Sequence, residues 1–213
     1  PGAWVLTGST ASATGLNASF SSVTAKTSRT ADEGLRARKK RDVRERLYRD
    51  ALTLFRRDGY DAVPVSAICQ AAGVAKGTFF NHFPTKDHVL LEWYERLNAS
   101  GNALPPPGPL DQRLIGLASG FFEVTLADAD LWRAKQQRAG LNAHFRRAEQ
   151  HSDAETRALA ATLFTQAANA GEIAPTPSAQ ACADLFVAIL TGTAHDWVLS
   201  DGAMDFRAAL SER

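Results

Sequence analysis

The segment Ala72-Gly73-Val74-Ala75-Lys76-Gly77-Thr78-Phe79-Phe80-Asn81-His82-Phe83 constrains this chain more than any other stretch. Ile68 and Ala72 share one helical face, and the pattern stops at Gly73, a residue that adopts positive φ at low steric cost. A second short pattern starts at Lys76, with Phe79 and Phe83 four residues apart on its inner side. Two short helices so close in sequence need small residues between them, and Cys69, Ala71 and Ala72 are small. Cys69 lacks electropositive neighbours that would activate it and reads as a packing residue. The spacing predicts a helix-turn-helix, whose second helix enters a DNA groove. With the phenylalanines inward, Lys76, Gly77, Thr78, Asn81 and His82 face outward. Asparagine pairs with adenine through two hydrogen bonds, lysine reaches guanine acceptors, and glycine lets backbone approach backbone. A solvated face of an ordinary core helix is the bland alternative.

The rest of the chain reads as helix and connector, with no strand signal and no internal repeat. Residues 1–34 are rich in Ser, Thr, Ala and Gly without a period, so a disordered tail is expected there. A basic run follows, with Arg36, Arg38, Lys39, Lys40, Arg41, Arg44, Arg46 and Arg49. Helix one is expected over 40–57, helix two over 65–72, helix three over 76–82 and helix four from Pro84 to about 98. The proline-rich stretch 105–109 is a connector. Further helices are expected over 110–127, 128–149, 153–170 and 178–200, with Ser178 as an N-cap, and a short one from Met204. The fold class is therefore all-α. A small DNA-binding domain spans 35–97, and a larger helical domain spans 98–213. Charge follows the division: residues 1–97 carry 15 Lys and Arg against 10 Asp and Glu, and residues 98–213 carry 9 against 13. The excess of cations lies on the side where a polyanion would bind.

Residues 44–97 resemble the DNA-binding domain of TetR-family transcriptional regulators. The resemblance rests on Ala51, Leu54, Phe55, Gly59 and Tyr60, on Ile68, Ala71, Ala72, Gly73 and Val74, and on the run from Lys76 to Lys86. It implies that Lys76, Gly77, Thr78 and Asn81 lie in the major groove. Phe80 and His82 would lie against phosphates, and Lys86 would hold a phosphate at the start of helix four. Three positions depart from the family pattern. Pro64 and Ala75 stand where hydroxyl residues commonly cap helices two and three, and Phe80 stands where tyrosine is common. Ser66 takes over part of the lost phosphate contact. Arg38, Lys39, Lys40 and Arg41 form an arm along phosphates or in a minor groove, against the alternative of a solubilising flank.

The same resemblance implies a C-terminal domain that binds a small-molecule effector and forms a homodimer on a palindromic double-stranded operator. Trp93, Phe121, Phe122, Trp132, Phe164 and Trp197 are the expected lining of an apolar pocket. Ala188, Gly192 and His195 are expected at a dimer helix. A ligand-responsive repressor is the leading function. The alternative is a helical ligand-binding or adaptor protein of the same fold that has lost operator binding, motivated by Pro64 and Ala75. The five histidines make no metal-ligand spacing, and no phosphate loop or nucleophile elbow exists, so neither an enzyme, a metal nor a cofactor is expected. Two cysteines in 213 residues and no 18-residue apolar run point to a cytoplasmic protein outside the membrane.

Overall fold

The structure is a computed structural model that describes residues 16–101, 103–200 and 203–212, with backbone only for 16–33, 100–101, 121–127 and 207. Among the described residues it contains nine α-helices and no strand. They are α1 (Leu16–Asp58), α2 (Val65–Ala72), α3 (Lys76–His82), α4 (Lys86–Gly101), α5 (Leu110–Ala127), α6 (Ala129–Ala139), α7 (Ala143–Asn169), α8 (Ala179–Leu199) and α9 (Phe206–Glu212).

Two sequence expectations change. Helix α1 begins at Leu16, so its helical backbone covers 16–34, a stretch that composition alone leaves without structure. No proline interrupts Leu16–Asp58, and Ala, Leu, Lys and Arg are good helix formers. The break expected near 150–152 falls instead at 140–142. There Gly140 ends α6, and the Asn142 side chain caps α7 by accepting from the His144 backbone N–H at 2.9 Å. Ser178 caps α8 as expected, accepting from the Ala181 backbone N–H.

The chain divides into two compact units, 1–46 and 47–213. In the first, the described side chains from Gly34 to Asp42 are exposed, including Arg36, Arg38, Lys39, Lys40 and Arg41. In the second, Leu47, Ala51, Phe55, Ile68, Phe79, Phe83, Val89 and Leu90 are fully buried and form the core of a head built from the end of α1 and from α2, α3 and α4. Helix α4 continues that core and then supplies Trp93, Tyr94 and Leu97 to the body formed with α5, α6 and α7. Helices α7 and α8 pack most extensively against one another.

Candidate nucleic-acid interface and interior cavity

Helix α2 ends in a Schellman turn. Gly73 sits at φ 64° and ψ 39°, its N–H donates to the Gln70 carbonyl, and the Val74 N–H donates to the Cys69 carbonyl. Any residue with a Cβ would be strained at that φ. Burial pushes the Cys69 thiol up, as expected of a packing residue. Pro64 and Ala75 hold extended conformations at the starts of α2 and α3 and give no side-chain cap. Their carbonyls still accept the first helical hydrogen bonds, from Ala67 and Thr78 respectively. The missing hydroxyls therefore remove side-chain contacts without displacing either helix.

Phe79 lies at the centre of the head, its ring 5.7 Å from Phe83 and 5.4 Å, edge-on, from Phe80. With Phe79 and Phe83 at 0% exposure, α3 cannot rotate without emptying the core. That orientation leaves Lys76, Gly77 and Asn81 exposed and Thr78 half-buried. Phe80 is 44% exposed, His82 is half-buried and Ser66 is exposed. The four positions expected to read bases thus form one outward surface of a seven-residue helix.

Lys86 has a structural task that the sequence does not reveal. Its ammonium donates to the carbonyls of Tyr60 at 2.8 Å and Val63 at 3.0 Å and stands 4.3 Å from the Tyr60 ring centre. An ammonium has three donors, and these two carbonyls take two of them. Lysine here ties the α1–α2 loop to the start of α4. Burial lowers its pKa, opposed by Asp61 and Asp87.

Helix α6 touches the head at both ends. At its start, Asp128 accepts from Arg56 through two hydrogen bonds of 2.6 and 2.7 Å and from the Trp93 indole at 3.0 Å. Burial would raise this carboxyl, but Arg56 and Trp93 together hold it below the usual carboxylate range. Asp128 occupies the N-cap position of α6 yet makes no cap hydrogen bond with its side chain. At the far end, Arg138 bonds Asp61, approaches Asp87 at 3.4 Å, and stacks 4.1 Å from the Tyr60 ring centre. The Tyr60 hydroxyl in turn donates to Asp87 at 2.5 Å. Burial and the Asp87 carboxylate push the Tyr60 hydroxyl far up.

Between those ends, α6 faces a cavity of about 350 Å³ bounded also by α4, α7 and α8. Trp132, one of the residues expected at a ligand pocket, lines it, and so do Gly192 and His195, which the sequence assigns to a dimer helix. The other expected lining residues are placed elsewhere. Trp93 is buried against Asp128, and Trp197 is buried in α8. Phe164 borders a separate cavity between α5, α7, α8 and α9. The side chains of Phe121 and Phe122 lie outside the described residues. Ala188 is exposed on α8. The cavity's principal charged residues, Lys135, Glu149 and Asp153, are not anticipated by the sequence reading.

Residues 47–93 match the family model for bacterial regulatory proteins of the tetR family. That stretch, from the end of α1 into α4, carries the likeness to the family. It is 36% identical over 93 residues to the HTH-type transcriptional regulator TcmR of Streptomyces glaucescens, a match over 44% of this chain and 41% of that one. It is 30% identical over 91 residues to the HTH-type transcriptional repressor KstR of Rhodococcus jostii, over 41% and 43% of the two chains. These matches span less than half the length of either relative. The fold resembles that of Thermus thermophilus FadR, a TetR-family repressor solved with lauroyl-CoA. That TM-score is 0.62, at 23% identity over 79% of this chain and 90% of that one. Among the described residues, no group of three or more His, Cys, Asp or Glu side chains is arranged to hold a metal ion.

Proposed function

We propose that the protein is a sequence-specific DNA-binding transcriptional repressor that responds to a small molecule. The observation that carries this reading is the outward surface of Lys76, Gly77, Thr78 and Asn81 on a helix fixed by Phe79 and Phe83. Lys76 and Asn81 supply base-edge hydrogen bonds, and Gly77 lets the backbone come close. Ser66, Phe80, His82 and the remaining Lys86 donor meet phosphates, and Arg38, Lys39, Lys40 and Arg41 add sequence-independent attraction. The likeness to the transcriptional regulator TcmR and the transcriptional repressor KstR supports this assignment, and the protein acts in the cytoplasm without catalysing a reaction.

Helix α8 supports dimerisation. It is 21 residues long and apolar enough by composition to span a membrane, yet only a third of its most apolar window is buried in one chain. Leu185 and Leu199 are 63% and 71% exposed. A second copy covering Ala188 and its neighbours accounts for that apolar surface, and two heads about 34–36 Å apart meet successive major grooves on a palindromic operator. Effector response follows from α6, which carries Trp132 and Lys135 at the cavity and Asp128 and Arg138 at the head. A ligand that fits one α6 position better than another shifts the head by that difference in affinity.

A gel-shift series with the DNA flanking its own gene tests the reading. A sequence-selective shift whose affinity falls steeply with salt is expected. No selective shift at any salt concentration would favour the alternative of a helical ligand-binding protein without an operator.

A further inference from the structure

The cavity beside α6 has an unusual charge arrangement. Lys135 is 1% exposed, and its ammonium is bonded to Glu149. The same ammonium stands 4.2 Å from the Tyr94 ring centre and 4.6 Å from that of Trp132. This cation is already satisfied by a carboxylate and two aromatic faces. An anionic ligand would have to strip Glu149 from it, leaving a charge buried without its partner.

Asp153 is different. It lines the same cavity, is half-buried, and makes no hydrogen bond or ion pair among the described residues. Arg157 and Lys135 both act on Asp153 at a distance, but Arg157 is bonded to Asp184 at 2.7 Å and Lys135 to Glu149. Burial and the neighbouring Glu149 charge both raise the Asp153 carboxyl. The cavity therefore contains one more carboxylate than ammonium, and that extra carboxylate faces a space with aromatic and aliphatic walls. Val187 and Leu190 supply the aliphatic part.

We infer that this cavity binds an amphiphilic amine in its protonated form, with Asp153 as its anchor and Trp132, Val187 and Leu190 against its apolar part. The ammonium of the ligand gives Asp153 the donor it lacks, and Glu149 remains with Lys135. The ligand's charge is opposite to that of the acyl-CoA seen in the Thermus thermophilus neighbour. This inference rests on the effector-binding reading of the cavity. It is independent of whether the head binds DNA.

Titration calorimetry of the full chain with three probes of matched size tests it: 4-phenylbutylamine, 4-phenylbutanol and 4-phenylbutyrate, with lauroyl-CoA as a fourth. A charge-assisted hydrogen bond predicts that the amine binds about tenfold or more tightly than the alcohol, and the carboxylate weakest. Asp153→Asn should shrink the amine's advantage below about threefold while leaving the alcohol's affinity unchanged. Circular dichroism verifies that the variant is folded, and among the described residues Asp153 has no hydrogen-bond partner to lose. Equal binding of amine and alcohol overturns the inference. Tighter binding of the carboxylate or lauroyl-CoA does so too, as does an amine preference untouched by Asp153→Asn or an amine that does not bind at millimolar concentration. Because the assay contains no DNA, a failed gel shift and a failed amine preference are separate results.

Discussion

Helix α3 sends its two phenylalanines inward and holds its polar residues in solvent, while α6 does the reverse with a lysine, burying an ammonium among two rings and a carboxylate. The first arrangement places donors and acceptors where a rigid external polymer can reach them. The second creates an interior whose polar groups must satisfy one another, so any guest must fit the charge that is left over. A recognition surface of the first kind tolerates changes that leave its core alone. The second kind couples every substitution to packing, charge and the position of a whole helix.

Removing Phe79 should separate the two regions most sharply. Phe79→Ala leaves a cavity at the centre of the head and is expected to cost about 3–5 kcal/mol. Thermal unfolding followed by circular dichroism should show an early transition, and DNA binding should be lost. A single transition unchanged in midpoint would mean that the head does not depend on that ring.

Next in size, Asn81→Ala should alter which base is preferred, by about 1–3 kcal/mol at one operator position, without changing the melting temperature. If binding-site selection returned the same consensus for wild type and variant, the base-reading role of Asn81 would be wrong.

Arg138→Ala tests the link between the two regions. It removes the bonds from α6 to Asp61 and Asp87 while leaving the cavity walls intact. Operator affinity without effector should persist, and the effector-induced change in affinity should fall by about 1 kcal/mol or more. An unchanged effector response in a fluorescence-anisotropy titration would assign the coupling to other contacts.

Two aspartates sharpen the comparison because their stability effects have opposite signs. Asp128 has a depressed carboxyl, so its stabilisation is present above the unfolded value near 3.9 and disappears as pH falls through the folded value. Asp128→Asn should therefore lower stability at pH 6, by about 1 kcal/mol, with the deficit shrinking towards pH 3. Asp153 has a raised carboxyl, so its charge opposes folding at neutral pH. Asp153→Asn should raise the melting temperature at pH 7 by a degree or two, on the order of 0.5 kcal/mol, and the gain should vanish below about pH 4. Denaturant unfolding across pH 3–7 distinguishes both effects from simple loss of packing.

The head was legible in the sequence because its signals are local. A glycine stop, two phenylalanines four apart and the polar residues between them settle which face of α3 points outward within a dozen positions. The cavity was not legible in that way. Lys135 lies in the polar stretch Arg133-Ala134-Lys135-Gln136-Gln137-Arg138, where nothing nearby marks it as buried and Arg133 as half-exposed. Its partners come from α4, α6 and α7, so only tertiary packing selects it. Aromatic residues were a partial guide: Trp132 lines the cavity, but Trp93 is committed to Asp128. The α6–α7 break lies earlier than the sequence suggests because Gly140 and Asn142 mark a helix end more weakly than a proline does, and α7 continues through Ser152 and Asp153.

The indole that bonds Asp128 also has an optical use. Trp93 stands on α4 with its N–H on the carboxylate that Arg56 holds, at the junction between α6 and the head. Indole emission responds to loss of such a hydrogen bond and to entry of water. A chain retaining Trp93 as its sole tryptophan would therefore carry an intrinsic fluorescent gauge of that junction, able to time its opening without an added label.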